Sequence, residues 1–388
     1  MQAASLTSKI GPLLAGLVGR TGNDARRGAL FAFAIRVGSA GLAFGSQILL
    51  ARWMGVHEFG LFTFCVVLMS VLGVLASSGL PWSYVRFLYE YSARGDWDRF
   101  RGFLGSARTA SVWTGVICLV GALGIIELAG QRISPELVLP LIIVLACLPV
   151  QTLNEFQEGV GKAHGWIGLS LAPAFIVRPV LLLLILGAAK LAGQEITAVT
   201  AGLALLATMC CVSLGQFVLQ DRRLRTVVEP GPWAFEPSTW LSVSFALLLL
   251  EGFATLLLHS DILVLKAFVS ADQISIYYAA VRTITLTGFV YFAIAAVFGA
   301  RFSRMHALGD TAGLHDVYRQ ATQLTFWPSL VLALGVLALG KPLLWLFGPE
   351  FVEGYPLMFL IGAGLLARAA VGPMQILLSM CGWQKQCA

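Results

Sequence analysis

The chain has 388 residues, of which 58% are hydrophobic and only 12% are charged, whereas soluble domains are about a quarter charged. The mean hydropathy is +0.82. A soluble protein of this length cannot bury so much apolar surface, so the composition excludes a soluble globular protein. Its continuous apolar runs also differ from the alternating segments of about 10 residues that are typical of a membrane β-barrel. We therefore predict an all-α polytopic membrane protein.

In chain order, residues 1–28 lack the pattern of a cleaved signal peptide, because the basic residues follow the apolar run. We expect this segment to lie in the cytoplasm or at the membrane interface. Segments of about 20 apolar residues are long enough to cross a bilayer as helices. Ten such spans follow, at 29–51, 59–81, 104–127, 135–153, 167–189, 196–218, 240–265, 274–299, 321–341 and 355–378.

The spans form two predicted halves joined by a linker. Residues 29–218 contain six spans, residues 219–238 are Pro-rich and basic, and residues 239–388 contain four spans.

The stretch Ser46–Phe62 recurs about 215 residues later at Ser260–Tyr277. At nearly the same offset, Arg86-Phe87 matches Arg301-Phe302, and Gly95-Asp96 matches Gly309-Asp310. The constant offset predicts a duplicated unit. Because six is an even number of crossings, the two copies run in the same direction, as a parallel repeat around a central cavity.

The repeat also predicts how many helices the second half should have. The sequence Cys381-Gly382-Trp383 resembles His164-Gly165-Trp166, which follows the fourth span of the first half. The second half therefore stops after four of an expected six helices. Either the chain is truncated or the protein has lost two spans, and we expect truncation.

The basic residues predict the orientation of the spans. With the N-terminus in the cytoplasm, 17 of the 26 Lys and Arg residues fall on the inner side and five fall in the outer turns. This bias matches the positive-inside rule. The net charge of +6 is then explained by attraction to anionic lipid headgroups, and it does not indicate nucleic acid.

Charged residues inside the spans are the candidate functional residues. An ionised side chain costs about 2.5–3.5 kcal/mol at the centre of a membrane helix, so it should face protein or water. Guanidinium groups bind phosphate in a bidentate manner. We therefore predict a basic cavity that binds an anionic substrate, and its candidate residues are Arg36, Arg178, Arg282 and Arg368.

Each arginine also has a structural interpretation. Arg36 can extend to the inner headgroups, and Arg178 can satisfy carbonyl groups at a kink before Pro179. Arg282 can pair with Asp261, and Arg368 can pair with Glu251. The two acids are in turn candidate sites for a coupling proton or cation, together with His259 on the same span. Alternatively, they only line a wet cavity.

Patterns typical of enzymes are missing from the sequence. Gly159-Val160-Gly161-Lys162 lacks the remaining residues of a phosphate-binding loop. The seven cysteines form no C-x-x-C pair, and His and Glu residues have no metal-ligand spacing. The predicted outer turns are too short to contain a catalytic domain. We therefore predict no catalytic residue, no metal and no cofactor.

Four stretches resemble a known family. They are L-L-A-R-W-M-G-V-H-E-F-G-L-F, the seventh-span run from Asp261 to Arg282, R-F-S-R-M-H-A-L-G-D and L-W-L-F-G-P-E-F. Together they resemble the polysaccharide transporter branch, with its Wzx-type flippases, of the multidrug/oligosaccharidyl-lipid/polysaccharide (MOP) exporter superfamily. The resemblance implies two six-helix bundles around a central cavity. It also implies transport of undecaprenyl-diphosphate-linked oligosaccharide across the bacterial inner membrane, with basic residues such as Arg36, Arg178 and Arg282 meeting the diphosphate.

The leading hypothesis is therefore a flippase for O-antigen, capsule or exopolysaccharide precursors. A proton or sodium gradient would drive it, and a polysaccharide polymerase is a possible partner. A multidrug antiporter of the same architecture should have an acidic cavity, which four arginines against two acids disfavour. A membrane glycosyltransferase or polymerase, and a non-transporting partner of polysaccharide assembly, are the alternatives from other classes.

Overall fold

A computed structural model describes residues 22–380, except for the side chains of 22–37 and of 131, 289, 292, 293, 295, 296, 300, 379 and 380. The N-terminal bundle contains α1 (Gly22–Ser77), α2 (Leu80–Arg94), α3 (Trp97–Ala129), α4 (Pro135–Leu145), α5 (Leu148–Ala163), α6 (Ile167–Ala172), α7 (Arg178–Leu191) and α8 (Ala198–Val227). The C-terminal bundle contains α9 (Pro237–Leu265), α10 (Ala271–Ile284), α11 (Phe289–Ala307), α12 (Thr311–Ala338), α13 (Gly340–Trp345), α14 (Tyr355–Val371) and α15 (Met374–Met380). Short 3₁₀ segments lie at Gly130–Arg132, Thr285–Gly288 and Glu350–Gly354, and a π-helical segment at Pro173–Val177. The described residues contain no β-strand.

Eight helical segments of the described chain are long and apolar enough to cross a membrane, which confirms the predicted class of a multi-pass all-α membrane protein. The count of ten spans stays a prediction. The segment Gly38–Arg94 covers the second predicted span and residues 38–51 of the first, because only Gly55 leaves helical geometry within α1. The predicted span 274–299 is not among the eight, since the 3₁₀ segment Thr285–Gly288 divides it into α10 and α11.

The break in α1 divides it into two arms. Gly55 has φ 78°, in the left-handed region that residues with a Cβ rarely occupy. A straight helix of 56 residues would be about 84 Å long, far more than the roughly 30 Å of the hydrocarbon core. The second arm runs alongside α9 and α10, with Gly60 against Ala271 of α10 near one end and Gly79, just after the arm, against Ser244 of α9 at the other.

The proposed repeat has a local structural counterpart. Gly95 and Gly309 both adopt left-handed φ angles, of 72° and 67°, within two residues of the end of a helix. Asp96 and Asp310 follow them, and each accepts a hydrogen bond from a backbone N–H at the start of the next helix. The matching dipeptides therefore form the same junction, a helix end followed by an aspartate N-cap.

An aromatic core fills one end of the N-terminal bundle, which we call the basic end because of the arginines around it. Tyr84, Phe87, Phe103 and Phe156 are buried there, together with Trp240 of α9. The indole N–H of Trp240 donates to the Tyr91 hydroxyl at 2.7 Å. The first turns of α9 are therefore held against α2, although α9 leads into the C-terminal bundle.

The segment before α9 is also fixed to the N-terminal bundle. Residues 219–227 of the predicted linker continue α8, and residues 228–236 have no regular secondary structure. Arg101 donates to the carbonyl oxygens of Glu229 and Pro232 at 3.0 Å each, and Arg99 forms an ion pair with Glu236 at 2.7 Å. Gly102 has no room for a side chain beside the Ala234 carbonyl. These contacts hold the segment along the start of α3.

His164 provides a test of the packing at the basic end. Its ring stacks on Trp166 with centroids 4.6 Å apart, and Nδ1 donates to the Val160 carbonyl at 2.9 Å. Burial lowers the pKa of His164 below its ordinary 6.5, against the opposing effect of that hydrogen bond. The folded state then binds fewer protons than the unfolded state, so His164 should cost no stability above pH 6.5 and increasingly more as the pH falls towards the lowered pKa.

We expect the unfolding temperature in detergent micelles to fall less for His164→Phe than for the wild type between about pH 7.5 and about pH 5. Phenylalanine keeps a stacking ring and removes the titrating group. His306→Phe, at an exposed site, is the matched control and should retain the wild-type pH dependence. Identical slopes for the wild type and His164→Phe would contradict the prediction.

Candidate functional site

The turn at Gly55 is a junction between the two bundles, at the end of the molecule opposite to the basic end. His57 Nδ1 lies 2.7 Å from Asp272 Oδ1 of α10, and Nε2 lies 3.4 Å from Glu136 of α4. The neighbouring Glu58 accepts a hydrogen bond of 2.6 Å from the Ala198 N–H at the start of α8. One turn therefore contacts the ends of three other helices.

Arg52 and two aromatic contacts extend this junction. Arg52 donates to the carbonyl oxygens of Trp345 and Leu346 at 3.0 and 2.6 Å, near the end of α13. Phe59 packs edge-on against Tyr278 and Phe351, with ring centroids 6.1 and 6.2 Å apart. Both bundles also contribute to the largest buried apolar cluster of the described chain. The bundles are thus closed against each other at the opposite end.

A pocket that contains several glutamates lies toward the basic end. This cavity of about 160 Å³ is lined by the second arm of α1, the start of α2, α5 and α9. Its charged residues are Glu155, Glu158 and Lys162 of α5 and Glu251 of α9. Lys162 forms an ion pair with Glu158 at 2.6 Å, and Gln151 donates to Glu155 at 2.8 Å. Glu251 has no ion-pair partner among the described residues, so three glutamates and one lysine line the pocket.

Glu155 and Glu158 were missed in the sequence analysis. The fourth predicted span ended at residue 153, but the helix continues to Ala163 and the apolar stretch that defines the span covers Pro135–Ala163. Polar residues and two glycines made this region look like a connecting loop. The available signal was the spacing of Glu155, Glu158 and Lys162, which places them on one side of a continuing helix.

The candidate arginines do not converge on one cavity. Arg178 follows the π-helical segment, and its Nε is buried with no hydrogen-bond partner. It lies within electrostatic reach of Glu155 and Glu158, although no ion pair within 4 Å joins them in the described chain. Arg178 is therefore an internal counterion of α5 and not an exposed phosphate ligand in this conformation.

The predicted pair of Arg282 and Asp261 is absent from the described residues. Asp261 instead accepts a hydrogen bond from the Tyr277 hydroxyl at 2.7 Å and one from the Ile262 N–H at 2.8 Å. Arg282 is exposed, and its guanidinium lies 4.8 Å from the centre of the Tyr278 ring. The pair was a wrong interpretation, because Tyr277, on the first turns of α10, reaches the carboxylate.

The predicted pair of Arg368 and Glu251 is also absent, since the two residues line different cavities. Arg368 borders a small cavity of about 80 Å³ within the C-terminal bundle and lies 4.8 Å over the Tyr291 ring. Glu251 borders the pocket between the bundles. The side chain of Arg36 lies outside the described residues, so its proposed role stays a prediction.

The surroundings of Arg178 and Arg282 predict different effects of removing the charge. Arg178→Gln leaves two carboxylates without a nearby buried cation, so we expect a loss of about 1–3 kcal/mol in the free energy of unfolding. Arg282→Gln at an exposed site should change it by less than about 0.5 kcal/mol. Unfolding midpoints in the same detergent measure both variants, and Arg178→Lys should recover part of the loss. Equal effects of the two Gln variants would contradict this placement.

The junction at Gly55 can be tested with a native cysteine. Cys65 is fully buried in the apolar cluster that both bundles form, so its reaction with a membrane-permeant maleimide reports opening once the other cysteines are replaced by alanine. Asp272→Asn removes an ion pair worth about 0.2–1 kcal/mol, which corresponds to an increase in labelling rate of up to about five-fold. The matched control Asp316→Asn, at an exposed site without an ion pair in the described chain, should label as the parent does. Unchanged labelling of Asp272→Asn would exclude the ion pair as part of the closure.

Comparisons with known proteins agree with this architecture. The model of a family described as "Polysaccharide biosynthesis protein" matches residues 25–306. The fold is similar to the inward-facing conformation of a multidrug resistance MATE family transporter of the MOP superfamily, at a TM-score of 0.69 and 15% identity, covering 90% of this chain and 82% of that chain. The outward-facing conformation of such a transporter gives 0.61 at 14% identity, covering 90% and 83%.

A third similar structure is a MOP superfamily transporter from Pyrococcus furiosus, whose reported reverse polarity of the binding pocket suggests a different function for that protein. Its TM-score is 0.58 at 13% identity, and 92% of this chain and 82% of that chain are covered. A search of curated proteins finds no match to the sequence. Because the family model covers most of the chain, the resemblance noted in the sequence is confirmed: the chain belongs to the polysaccharide biosynthesis protein family and has the fold of MOP superfamily transporters.

Proposed function

We propose that the protein is a flippase that moves polyprenyl-diphosphate-linked oligosaccharide across the bacterial inner membrane, for O-antigen, capsule or exopolysaccharide synthesis. The observation that carries the proposal is the asymmetry of the contact between the bundles. They are closed against each other around Gly55, while the pocket that both of them line lies toward the basic end. Alternating access requires such an arrangement in one of its two states.

The orientation follows from the distribution of charge. With the basic end in the cytoplasm, as the positive-inside rule favours, the structure corresponds to a state open to the inner leaflet. The higher TM-score to the inward-facing MATE structure than to the outward-facing one supports this. A polar head group must cross roughly 30 Å of hydrocarbon, and a path between two bundles lets it do so while the lipid tail remains in the bilayer.

The glutamate pocket supports coupling to a proton or sodium ion. Glu251 belongs to α9, whereas Glu155 and Glu158 belong to α5, so the three carboxylates face one cavity from two directions. Bringing like charges closer is unfavourable unless one of them is neutralised. A bound proton or cation would therefore favour closure of the basic end. Asp261, held by Tyr277, is a second candidate for this role.

The anionic head group would meet the arginines that remain accessible. Arg282 is exposed on α10, and Arg368 is exposed beside a cavity of the C-terminal bundle. We propose these two, with Arg36, as contacts for the diphosphate or for acidic sugars. For Arg178, a phosphate contact requires a conformation in which it leaves Glu155 and Glu158.

A cation-coupled multidrug antiporter is the second candidate function. The sequence analysis disfavoured it because the spans held four arginines and only two acids. Two further acids, Glu155 and Glu158, lie in a pocket that is lined by three glutamates and one lysine, and an acidic cavity suits a cationic drug. The MATE transporters of similar fold make the same alternative worth testing. The family and the fold give no comparable support to a glycosyltransferase.

The test is where the lipid-linked sugar accumulates in cells that lack the gene. Spheroplasts are treated with a membrane-impermeant glycosidase, and the lipid-linked sugar should be protected in the deletion strain and exposed after complementation. We expect Glu251→Gln to reduce exposure roughly ten-fold, within the usual range for coupling between sites, at unchanged abundance in the membrane. Glu127→Gln, an exposed acid on α3, is the matched control and should complement fully.

Two other results would contradict the proposed flippase function. Single repeat units that reach the outside but are never polymerised would indicate a partner of polysaccharide assembly on the polymerase side. Unchanged sugar exposure together with increased sensitivity to cationic drugs would support the antiporter.

A further inference from the structure

A large apolar cavity lies away from the glutamate pocket, at the end of the N-terminal bundle opposite to the basic end. Its volume is about 750 Å³, within the range of about 300–1,000 Å³ that is typical of ligand sites. The second arm of α1, the final turns of α3 and most of α4 form its walls. The chemistry of the walls and of the mouth identifies a class of ligand.

The walls are apolar and are open to the surroundings of the helices. Phe64, Leu68 and Leu72 of α1 face Leu137 and Leu141 of α4 across the cavity. On α3, a Cβ added at Gly121 would meet nothing within 4 Å, and Ile125 is 67% exposed. In a bilayer this open side of α3 is in contact with lipid chains. The groove therefore suits a hydrocarbon chain that enters sideways from the membrane.

The mouth of the groove is cationic. Arg132 ends the 3₁₀ segment that follows α3, Lys266 directly follows α9, and Ser134 adds a hydroxyl group. Neither cation forms an ion pair within the described chain, and no Asp or Glu is among the described residues that line the cavity. The Lys266 ammonium group lies 5.9 Å over the Phe64 ring. Two unpaired cations at the polar end of an apolar groove are complementary to a lipid with an anionic phosphate.

We propose that this groove binds an anionic phospholipid, with one acyl chain between α1, α3 and α4 and the phosphate at Arg132 and Lys266. Because Arg132 belongs to the N-terminal bundle and Lys266 to the end of α9, one phosphate would connect the two bundles beside the Gly55 junction. The lipid would stabilise the state in which the two bundles are closed against each other around Gly55. The site is separate from the glutamate pocket, so the proposal does not depend on which substrate is transported.

The test measures binding of phosphatidylglycerol and phosphatidylcholine to the delipidated protein by native mass spectrometry and by thermal shift. The wild type should retain phosphatidylglycerol in preference to phosphatidylcholine. Each cation near a phosphate contributes an affinity factor of about five, so Arg132→Gln with Lys266→Gln should weaken phosphatidylglycerol binding on the order of 25-fold. Lys190→Gln with Lys341→Gln removes the same charge at the same end, away from the cavity, and should bind as the wild type does.

A second variant acts on the walls of the groove. A Cβ at Gly121 meets nothing within 4 Å, so Gly121→Phe adds a ring at the wall of the groove. This variant leaves both cations in place and should also weaken phosphatidylglycerol binding. Equal binding of the two phospholipids by the wild type, or wild-type affinity in both groove variants, would overturn the proposal. Displacement of phosphatidylglycerol by an equimolar polyprenyl diphosphate would overturn it in favour of a site for transported lipid. If Arg132→Gln with Lys266→Gln does not fold, phosphatidylglycerol binding by Gly121→Phe decides whether the proposal holds.

Discussion

The closure of the two bundles depends on the polar contacts of a single turn. Gly55 allows the chain to leave helical geometry, and the residues around it then satisfy groups on four other helices. His57 lies between carboxylates of α4 and α10, Glu58 accepts from the start of α8, and Arg52 donates to carbonyl oxygens near the end of α13. Helix ends carry unpaired backbone groups, and this turn satisfies an N–H at the start of α8 and two carbonyl groups near the end of α13. The same contacts fix the distance between the bundles.

Much of the architecture could be predicted because the bilayer restricts what a sequence can do. Long apolar segments must be helices, since unpaired backbone groups in hydrocarbon cost several kcal/mol each. Local signals also had reliable consequences, as Gly95-Asp96 and Gly309-Asp310 each form a helix end followed by an N-cap. The sequence identified the stretch Ser46–Phe62 only as a motif that recurs at Ser260–Tyr277. Its role as the junction depends on contacts with residues far away in the sequence.

The site could be predicted only in part, because charge pairing depends on which helix faces are adjacent. Arg368 and Glu251 were matched by charge, but they line different cavities. Asp261 was matched with Arg282, but a tyrosine hydroxyl reaches it. Glu155 was missed for a different reason, since hydropathy ended the helix where its polar residues began. Those residues face a cavity and the interior of the bundle, where a helix can carry them without contact with lipid.

The way in which α9 begins has a consequence for how the protein moves. Its first turns and the segment 228–236 are fixed to α2 and α3 by Trp240, Arg99 and Arg101, while its last turn leads into the C-terminal bundle. In the alternating access that we propose, the boundary of the moving body therefore lies within α9 and not in the predicted linker 219–238. Closure of the basic end would then move α10–α15 against a body that includes the start of α9, and the strain would concentrate within α9 itself. The proposed repeat divides the chain at the linker, whereas the proposed motion divides it within a helix.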